Sequence, residues 1–416
     1  DNIGWDTVGK TSLGAMDISA DGQTIYVMNL ENRTLYALNA TTGAVVGLQT
    51  VPGVPAVAGS NPSEANPPLG APATIAQCPT GDVRPFAVTY YRGVVYVGMI
   101  CSAESSATVD TFTDNNSNGI YDFALNEPFV DNDGNGIYNV GDVRQLRGYV
   151  YSVNATTLDF SNAPVFQFRL DYPRGVMNEA GAPPGEWLPW APTFARTIIP
   201  VAGVFYPQPM LTDIAFNRGS MTIAIRDRTG DTVGHFTPSE PGNPTLWVGV
   251  GTGDTLLACG TPGTGWTLED NGRCNALGTG PQGTDNGPGG GEFYFDDGYG
   301  ITGQDLNHDD VGLGAVLQLP GFPDVVATVF DPYPFNPPFE VFDGGLRWYN
   351  QQTGAFERGY RLYNTEANPA TTGKSNGLGD VMALCDAAPI EVGNRLWIDQ
   401  DNDGVQDANE PPLPGV

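Results

Sequence analysis

The chain has 416 residues, 40% of them hydrophobic, and 18 Lys and Arg against 47 Asp and Glu give a formal net charge of −29. Such an acidic surface repels phosphate groups, which excludes nucleic acid as a partner. The 55 Gly and 35 Pro are far more than helices tolerate, so the composition predicts many strands and long loops. No apolar run is long enough to span a bilayer.

Residues 13–50 predict four short antiparallel strands, with tight turns at Asp21-Gly22 and Thr42-Gly43. A meander of this length is the unit of a β-propeller blade. The unit recurs three times, each time with an interruption between its inner and outer strands: at 84–100 and 148–170, at 211–226 and 256–269, and at 314–330 and 346–363. The first strand of one more blade is predicted at 378–384. The chain therefore predicts an all-β fold, an irregular β-propeller of about five to seven blades. Long loop insertions are predicted at about 52–80, 176–208 and 276–310.

Three of the predicted first strands carry an Asp directly before Ile or Val, namely Asp17, Asp213 and Asp380. Because side chains alternate along a strand, these Asp would face one way and their apolar neighbours the other. The innermost strands of a propeller line its central channel, so one interpretation is a ring of carboxylates there. The other interpretation, which we prefer from the sequence, is that each Asp caps a neighbouring turn.

Acidic loops with one spacing occur at three places. Residues 399–410 put oxygen-bearing side chains at loop positions 1, 3, 5, 9 and 12, with Gly404 at position 6. This is the spacing of an EF-hand-type Ca²⁺ loop, in which position 7 contributes a backbone carbonyl. Residues 131–142 follow the same frame. Residues 114–122 follow it through position 9 and then carry two extra residues before Glu127.

These frames predict Ca²⁺ as a cofactor and assign its ligands position by position. The predicted ligands are Asp114, Asn116, Asn118, Ile120, Asp122 and Glu127 in the first loop, Asp131, Asp133, Asn135, Ile137, Asn139 and Asp142 in the second, and Asp399, Asp401, Asp403, Val405, Asp407 and Glu410 in the third. Asp142 is shorter than the usual Glu, so the second loop is predicted to bind more weakly.

The five cysteines leave two interpretations open. Cys259 could pair with Cys274 and Cys78 with Cys101, which leaves Cys385 over; alternatively all are buried thiols. The spacing does not fit a zinc site.

No motif for nucleophilic catalysis is present, and no catalytic residue is predicted. A Ser-His-Asp triad would need His235 or His308. His308 is predicted to be a solvated loop residue, within a segment, 305–310, that is more typical of a polar or metal-binding loop. Trp187 and Trp190 could stack on a sugar or fill a hydrophobic gap, and we expect the gap.

The C-terminal residues 390–416 contain a Gly-Asn-Arg-x-Trp strand, the third acidic loop, and then Glu410-Pro411 and Pro414-Gly415-Val416. This stretch resembles the opening of an SdrD B-like (Cna-B-type) repeat of bacterial surface adhesins. Residues 1–386 resemble the β-propeller heads that precede such stalks, and the segments 211–228 and 377–385 carry this resemblance. The resemblance implies a propeller over 1–386, with a Ca²⁺-binding insertion at about 110–142. It implies that 387–416 are the first strand and Ca²⁺ loop of a B-type β-sandwich.

The sequence thus favours a Ca²⁺-stabilised structural or adhesive protein, secreted or on the cell surface. Its expected partners are further copies of itself, further domains of the same polypeptide, or a cell-surface or glycan ligand. The alternatives are a Ca²⁺-dependent propeller hydrolase acting on lactones or phosphoesters, with a metal near Asp17, Asp213 or Asp380, and a carbohydrate-binding module using Trp187 and Trp190.

Overall fold

The computed structural model describes most of the chain. The described residues are 2–54, 57–58, 74–75, 77–106, 109–132, 136–141, 145–175, 185–195, 197–199, 203–238, 243–251, 253–280, 287–300, 306–319, 322–333, 343–363, 373 and 377–383. Asp1–Val381 form one compact unit and Met382–Val416 a second. The third predicted Ca²⁺ loop, Asp399–Glu410, lies outside the described residues, as do Asp133, Asn135, Asp142 and Cys385. The predicted boundary at 386/387 stays a prediction.

The described elements are almost all strands. In chain order they are α1 (Asn2–Thr7), β1 (Leu13–Ile18), β2 (Thr24–Asn29), β3 (Thr34–Asn39), β4 (Val45–Thr50), β5 (Val57–Ala58), β6 (Thr74–Ile75), β7 (Val83–Tyr91), β8 (Val94–Cys101), β9 (Thr111–Phe112), β10 (Phe129–Val130), β11 (Arg147–Asn154), β12 (Phe166–Arg169), β13 (Thr197–Ile199), β14 (Gly203–Phe205), β15 (Pro209–Asn217), β16 (Ser220–Asp227), α2 (Arg228–Val233), β17 (His235–Pro238), β18 (Leu246–Gly249), β19 (Asp254–Thr261), β20 (Gly265–Leu268), β21 (Tyr299–Gly300), β22 (Leu306–His308), β23 (Gly312–Gln318), β24 (Asp324–Phe330), β25 (Gly344–Asn350) and β26 (Phe356–Tyr363).

Four antiparallel sheets of four strands follow one another along the chain, and we call them blades. Blade 1 is β1-β2-β3-β4, blade 2 is β7-β8-β11-β12, blade 3 is β15-β16-β19-β20 and blade 4 is β23-β24-β25-β26. The first strand of each blade packs on the first strand of the next, β1 on β7, β7 on β15 and β15 on β23. The all-β fold predicted from the sequence is therefore confirmed, and its repeating unit is a four-stranded blade.

Every blade bends at the same place. The pairing of the first with the second strand shifts register between Leu13 and Met16 in blade 1, and the same shift follows Pro85, Leu211 and Gly312 in the other three. A shift of this kind marks a β-bulge, which increases the local twist and redirects the side chains that follow it. Asp17 and Asp213 come directly after such shifts, so the bulge sets where their carboxylates point.

The core lies between the blades. The second strands are buried on both faces, as β8 illustrates with seven consecutive buried residues, which explains their continuous apolar runs. Trp187 and Trp190 are 0% and 1% exposed and fill the space between blades 2 and 3. Trp190 lies between the guanidinium groups of Arg84 and Arg228, at 5.4 and 4.6 Å. Both Trp side chains therefore fill a gap, as expected, and neither presents a face to a sugar.

The structure corrects two predictions about the loops. Residues 377–383 form no strand, although 378–384 were predicted to begin a blade. The loop predicted at 176–208 contains β13 and β14, which join β17 and β18 in a fifth four-stranded sheet with one parallel pair. These strands have only three or four residues each, too few for a recognisable alternation.

Candidate functional site

The insertion in blade 2 holds the first two acidic loops, and their backbones follow one pattern. In each loop the Gly at position 6 has a positive φ, 77° at Gly119 and 81° at Gly136, which glycine adopts without strain. Its N–H donates to the Asp at position 1, to Asp114 at 2.7 Å and to Asp131 at 2.8 Å. This is the sharp turn that the predicted frame requires of its glycine.

The side chains of the first loop converge on Asp122 at position 9. The Nδ2 groups of Asn116 and Asn118 donate to Oδ2 of Asp122 at 2.6 and 2.8 Å. Rotation of each amide by half a turn would present its oxygen instead. Asp114 is half-buried, and the N–H of Gly119 lowers its pKa, so it stays ionised. The donor set of carboxylates, amide oxygens and the Ile120 carbonyl fits a hard cation such as Ca²⁺.

Glu127 does not occupy the place predicted for it. Its Oε1 accepts from the N–H of Asn115 at 2.8 Å and its Oε2 from the N–H of Asp122 at 2.7 Å. Glu127 is 3% exposed. The structure thus assigns this carboxylate to the loop backbone, and its predicted role as a cation ligand is corrected. The two extra residues before Glu127 are what take it out of the usual frame.

A second acidic cluster, which the spacing of the loops did not predict, lies buried between blades 3 and 4. Ligand oxygens of Asp254, Glu292 and Asp310 lie within 4.8 Å of one another. The N–H of Gly253 donates to the carbonyl of Gly312 at 2.8 Å. A Cβ on Gly253 would lie 2.2 Å from the carbonyl oxygen of Ile225, so glycine is needed for this close approach. That approach brings Asp254 and Asp310 together.

Cationic and donor groups surround this cluster. Nη2 of Arg174 lies 3.3 Å from Oδ2 of Asp310, and the Tyr172 hydroxyl donates to Oδ2 of Asp254. Burial raises the pKa of Asp254, although the bond from Tyr172 and the charge of Arg174 oppose the shift. Three carboxylates against one guanidinium leave room in the charge balance for a divalent cation, so the cluster could hold a metal ion. Only Asp310 belonged to a segment that the sequence marked as metal-binding in character.

Asp213 and Asp380 line a cavity of about 390 Å³, and Asp17 lies close to them. Each uses Oδ1 to accept the N–H of the next residue, at 2.7 Å in all three cases. Oδ2 of Asp17 accepts from Tyr90 of β7 at 2.6 Å, and Oδ2 of Asp213 accepts from Val316 of β23 at 2.9 Å. The interpretation preferred from the sequence, that each Asp caps a neighbouring turn, is wrong for Asp17 and Asp213, because both carboxylates bond to the first strand of a neighbouring blade.

Asp213 and Asp380 both line the cavity, and their carboxyl groups interact electrostatically. Burial, followed by the charge of Asp380, raises the pKa of Asp213 to about 8. Burial also raises the pKa of Asp380 and of Asp17. The cavity wall also carries Arg226, whose guanidinium pairs with Asp231 at 2.8 and 2.9 Å and donates to the carbonyl of Leu378 at 2.7 Å. Burial and the neighbouring carboxyl group therefore both favour a proton on Asp213.

The remaining candidate residues have structural surroundings. His308 is 2% exposed and packs near Phe205 and Phe330, so the prediction of a solvated loop histidine is wrong. His235 is half-buried, and burial lowers its pKa. Cys78 pairs with Cys101 and Cys259 with Cys274, which confirms the disulfide interpretation. Disulfides of this kind are typical of extracellular proteins.

Comparison with known sequences identifies relatives of a single kind. The chain is 29% identical to Colossin-A of Dictyostelium discoideum over 434 aligned residues, which is 99% of this chain and 3% of that protein. It is 28% identical to Colossin-C over 98% of this chain and 33% of that protein. The chain thus spans a third or less of these relatives. They are colossins rather than bacterial adhesins, so the predicted SdrD B-like repeat gains no support. No protein-family model matches the chain.

Comparison with solved structures finds only distant likeness. The Dos1 propeller aligns with 85% of this chain and 48% of its own at 8% identity, with a TM-score of 0.32. Drosophila Semaphorin 1a aligns with 90% of this chain and 63% of its own, at 8% identity and a TM-score of 0.25. These scores are too low to support a conclusion, so the description as blades rests on the sheet topology. In the described part of the chain, no helix has the length and apolar character needed to cross a membrane.

Proposed function

We propose that the chain is a structural module of a secreted or cell-surface protein, and that Ca²⁺ bound in its acidic loops stabilises it. The observation that carries the proposal is the first loop, where Asn116 and Asn118 contact Asp122 and where Asp114 accepts the N–H of Gly119 at the turn, in the order that a Ca²⁺ loop requires. The net charge of −29 supports it, because bound cations reduce the self-repulsion of the compact state. The two disulfides and the similarity to colossins are consistent with an extracellular location.

The experiment is thermal unfolding with Ca²⁺ and with excess chelator, combined with limited proteolysis. We expect the chelator to lower the melting temperature and to expose the insertion at 110–142 to protease. Ca²⁺ at about 100 times its Kd should stabilise a single site by about 2.7 kcal/mol. Asp114→Ala should remove part of this gain. Glu31→Gln, which changes an exposed carboxylate in blade 1, is the matched control and should keep the full gain. Identical melting curves with Ca²⁺ and with chelator would refute the proposal.

Self-association is the further part of this proposal. Strand β4 lies at the outer edge of blade 1, and its Val45, Val46 and Leu48 are 55%, 62% and 56% exposed. An exposed apolar edge strand is a template for pairing with another chain. Light scattering with and without Ca²⁺ should therefore show concentration-dependent assembly, which Val46→Lys should weaken. A monomer at every concentration would refute self-association and leave the Ca²⁺ proposal unaffected.

Hydrolysis is a second candidate function, and the central cavity is the observation that favours it. Two carboxyl groups that share a proton can supply a general acid and a general base. Asp213 and Asp380 both lie on the wall of the cavity, and burial, followed by the charge of Asp380, raises the pKa of Asp213. A panel of lactones and phosphoesters tests the candidate. Turnover that Asp213→Asn abolishes and Glu31→Gln preserves would support it, and no turnover of any substrate in the panel would remove it.

A further inference from the structure

The two acidic loops of the insertion are halves of a structural repeat. Residues at an offset of 17 positions correspond, as Asp114 does to Asp131. The corresponding residues Phe112 and Phe129 are paired directly across β9 and β10. Tyr121 and Tyr138, which also correspond, stack with ring centroids 4.3 Å apart. The two halves are therefore related by a local two-fold axis that passes through their aromatic core.

The remaining contacts of this core obey the same symmetry. Phe112 meets Tyr121 at 5.8 Å and 77°, and the equivalent pair, Phe129 and Tyr138, meets at 6.1 Å and 80°. Phe112 meets Tyr138 at 5.3 Å, and Phe129 meets Tyr121 at 5.7 Å. Each Tyr ring contacts both rings of the other half. A movement in one loop therefore reaches the other through packed side chains rather than through solvent.

Each half of the repeat carries a carboxylate that binds the loop backbone of the other half. Glu127 stands four residues before the second loop, yet it accepts the N–H groups of Asn115 and Asp122 in the first loop, at 2.8 and 2.7 Å. It thus fixes loop positions 2 and 9, on either side of the proposed cation centre. Its near-complete burial makes this contact costly to lose.

Asp110 makes the reciprocal contact. It stands four residues before the first loop and accepts the N–H groups of Asn132 and Asn139 in the second loop, at 2.8 and 3.0 Å. Asp110 corresponds to Glu127 under the offset of 17, and the groups it holds correspond as well. Asp110 is 3% exposed, and burial raises its pKa while the two N–H groups lower it. Each half therefore carries the group that closes the other half.

We propose that the two loops bind divalent cations cooperatively, with Asp110 and Glu127 as positioning residues that transmit the effect between them. The inference rests on the proposed function, since it assumes that the loops bind Ca²⁺. A cation that orders one loop also orders the segment carrying the carboxylate that closes the other. The second cation then binds a loop already held in its binding conformation, so its affinity is higher.

The test follows the two sites separately in the full chain. The N–H groups of Gly119 and Gly136 each donate to the first ligand of their own loop, so their amide NMR signals report the two sites one by one. During a Ca²⁺ titration we expect both signals to shift together, with a Hill coefficient between 1 and 2 for two sites. Asp131→Ala should abolish the Ca²⁺-dependent shift of the Gly136 amide signal. It should also move the midpoint of the Gly119 titration to a Ca²⁺ concentration about 5- to 150-fold higher.

Controls separate the possible failures. Asp159→Ala removes an exposed carboxylate of blade 2 and should leave both midpoints unchanged. If Asp131→Ala disturbs folding, the matched pair Glu127→Gln and Asp110→Asn replaces it. Each of these should weaken the loop it contacts, and the other loop by a smaller factor. A Gly119 midpoint that Asp131→Ala leaves unmoved would overturn the coupling. If neither glycine responds to Ca²⁺ in the parent protein, the proposed function itself fails.

Discussion

The first acidic loop of the insertion and the interior between the blades shift the pKa of a carboxyl group in opposite directions. In the insertion, Asp114 is half-buried and hydrogen-bonded to backbone N–H groups, which lower its pKa and keep it charged. In the interior, burial raises the pKa of Asp213 and Glu269. A carboxylate that stays charged attracts a cation, whereas a raised pKa favours a proton. An acidic residue count alone therefore does not locate a cation site.

The largest effect is expected from the interior. Glu269 is 0% exposed, and its oxygens accept the N–H groups of Leu257, at 2.8 Å, and of Phe293. Glu269→Ala leaves both donors buried without an acceptor, which should cost about 2–5 kcal/mol in the free energy of unfolding. Urea unfolding measures this loss, with Glu31→Gln as the control expected to stay within about 0.5 kcal/mol. The loss should be the same in Ca²⁺ and in chelator, and a Ca²⁺-dependent loss would contradict the contrast.

A smaller effect is expected in the insertion, and there it should depend on Ca²⁺. In excess Ca²⁺, Asp114→Ala should lower the free energy of unfolding by up to about 2.7 kcal/mol, the gain from one site at 100 times Kd. In chelator it should change little, because the hydrogen bonds of Asp114 stay within its own loop. The two-condition comparison is made by calorimetry. Equal losses in both conditions would mean that Asp114 is structural only.

A third effect is a slope with pH. The pKa of Asp213 is about 8 in the folded protein and about 3.9 in an unfolded chain, so folding takes up a proton between these values. Its stabilising contribution is complete below about pH 4 and is lost as the pH rises towards 8. The melting temperature should fall by a few degrees from pH 5 to pH 9. Asp213→Asn should have a lower melting temperature that changes less with pH. A melting temperature that falls as steeply in this variant would exclude the Asp213 carboxyl group as the cause.

The sequence predicted the blades well because their strands are long and bounded by glycine turns. Asp21-Gly22, Arg92-Gly93 and Arg218-Gly219 each join a first strand to its second, and the structure has those hairpins. It missed the fifth sheet because β13, β14, β17 and β18 are too short to show a period.

The candidate sites divide in the same way. The predicted ligands of each loop lie close together in the sequence, so their spacing alone predicted them. Asp254, Glu292 and Asp310 come from three distant segments, and only the tertiary contact of Gly253 with Gly312 brings them together. Asp110 lay between these cases. The offset of 17 residues between Asp110 and Glu127 can be read from the sequence. That each of them contacts the opposite loop follows only from the pairing of β9 with β10.

The most direct measurement is a crystal structure grown in Ca²⁺, with anomalous difference density used to locate the ions. We expect a peak inside each of the loops 114–122 and 131–139, with oxygen ligands at about 2.3–2.6 Å. We expect no peak between Asp213 and Asp380, because burial, followed by the charge of Asp380, raises the pKa of Asp213 and favours a proton there. Loops without a peak, or a peak at the central pair, would contradict this assignment of the cation sites.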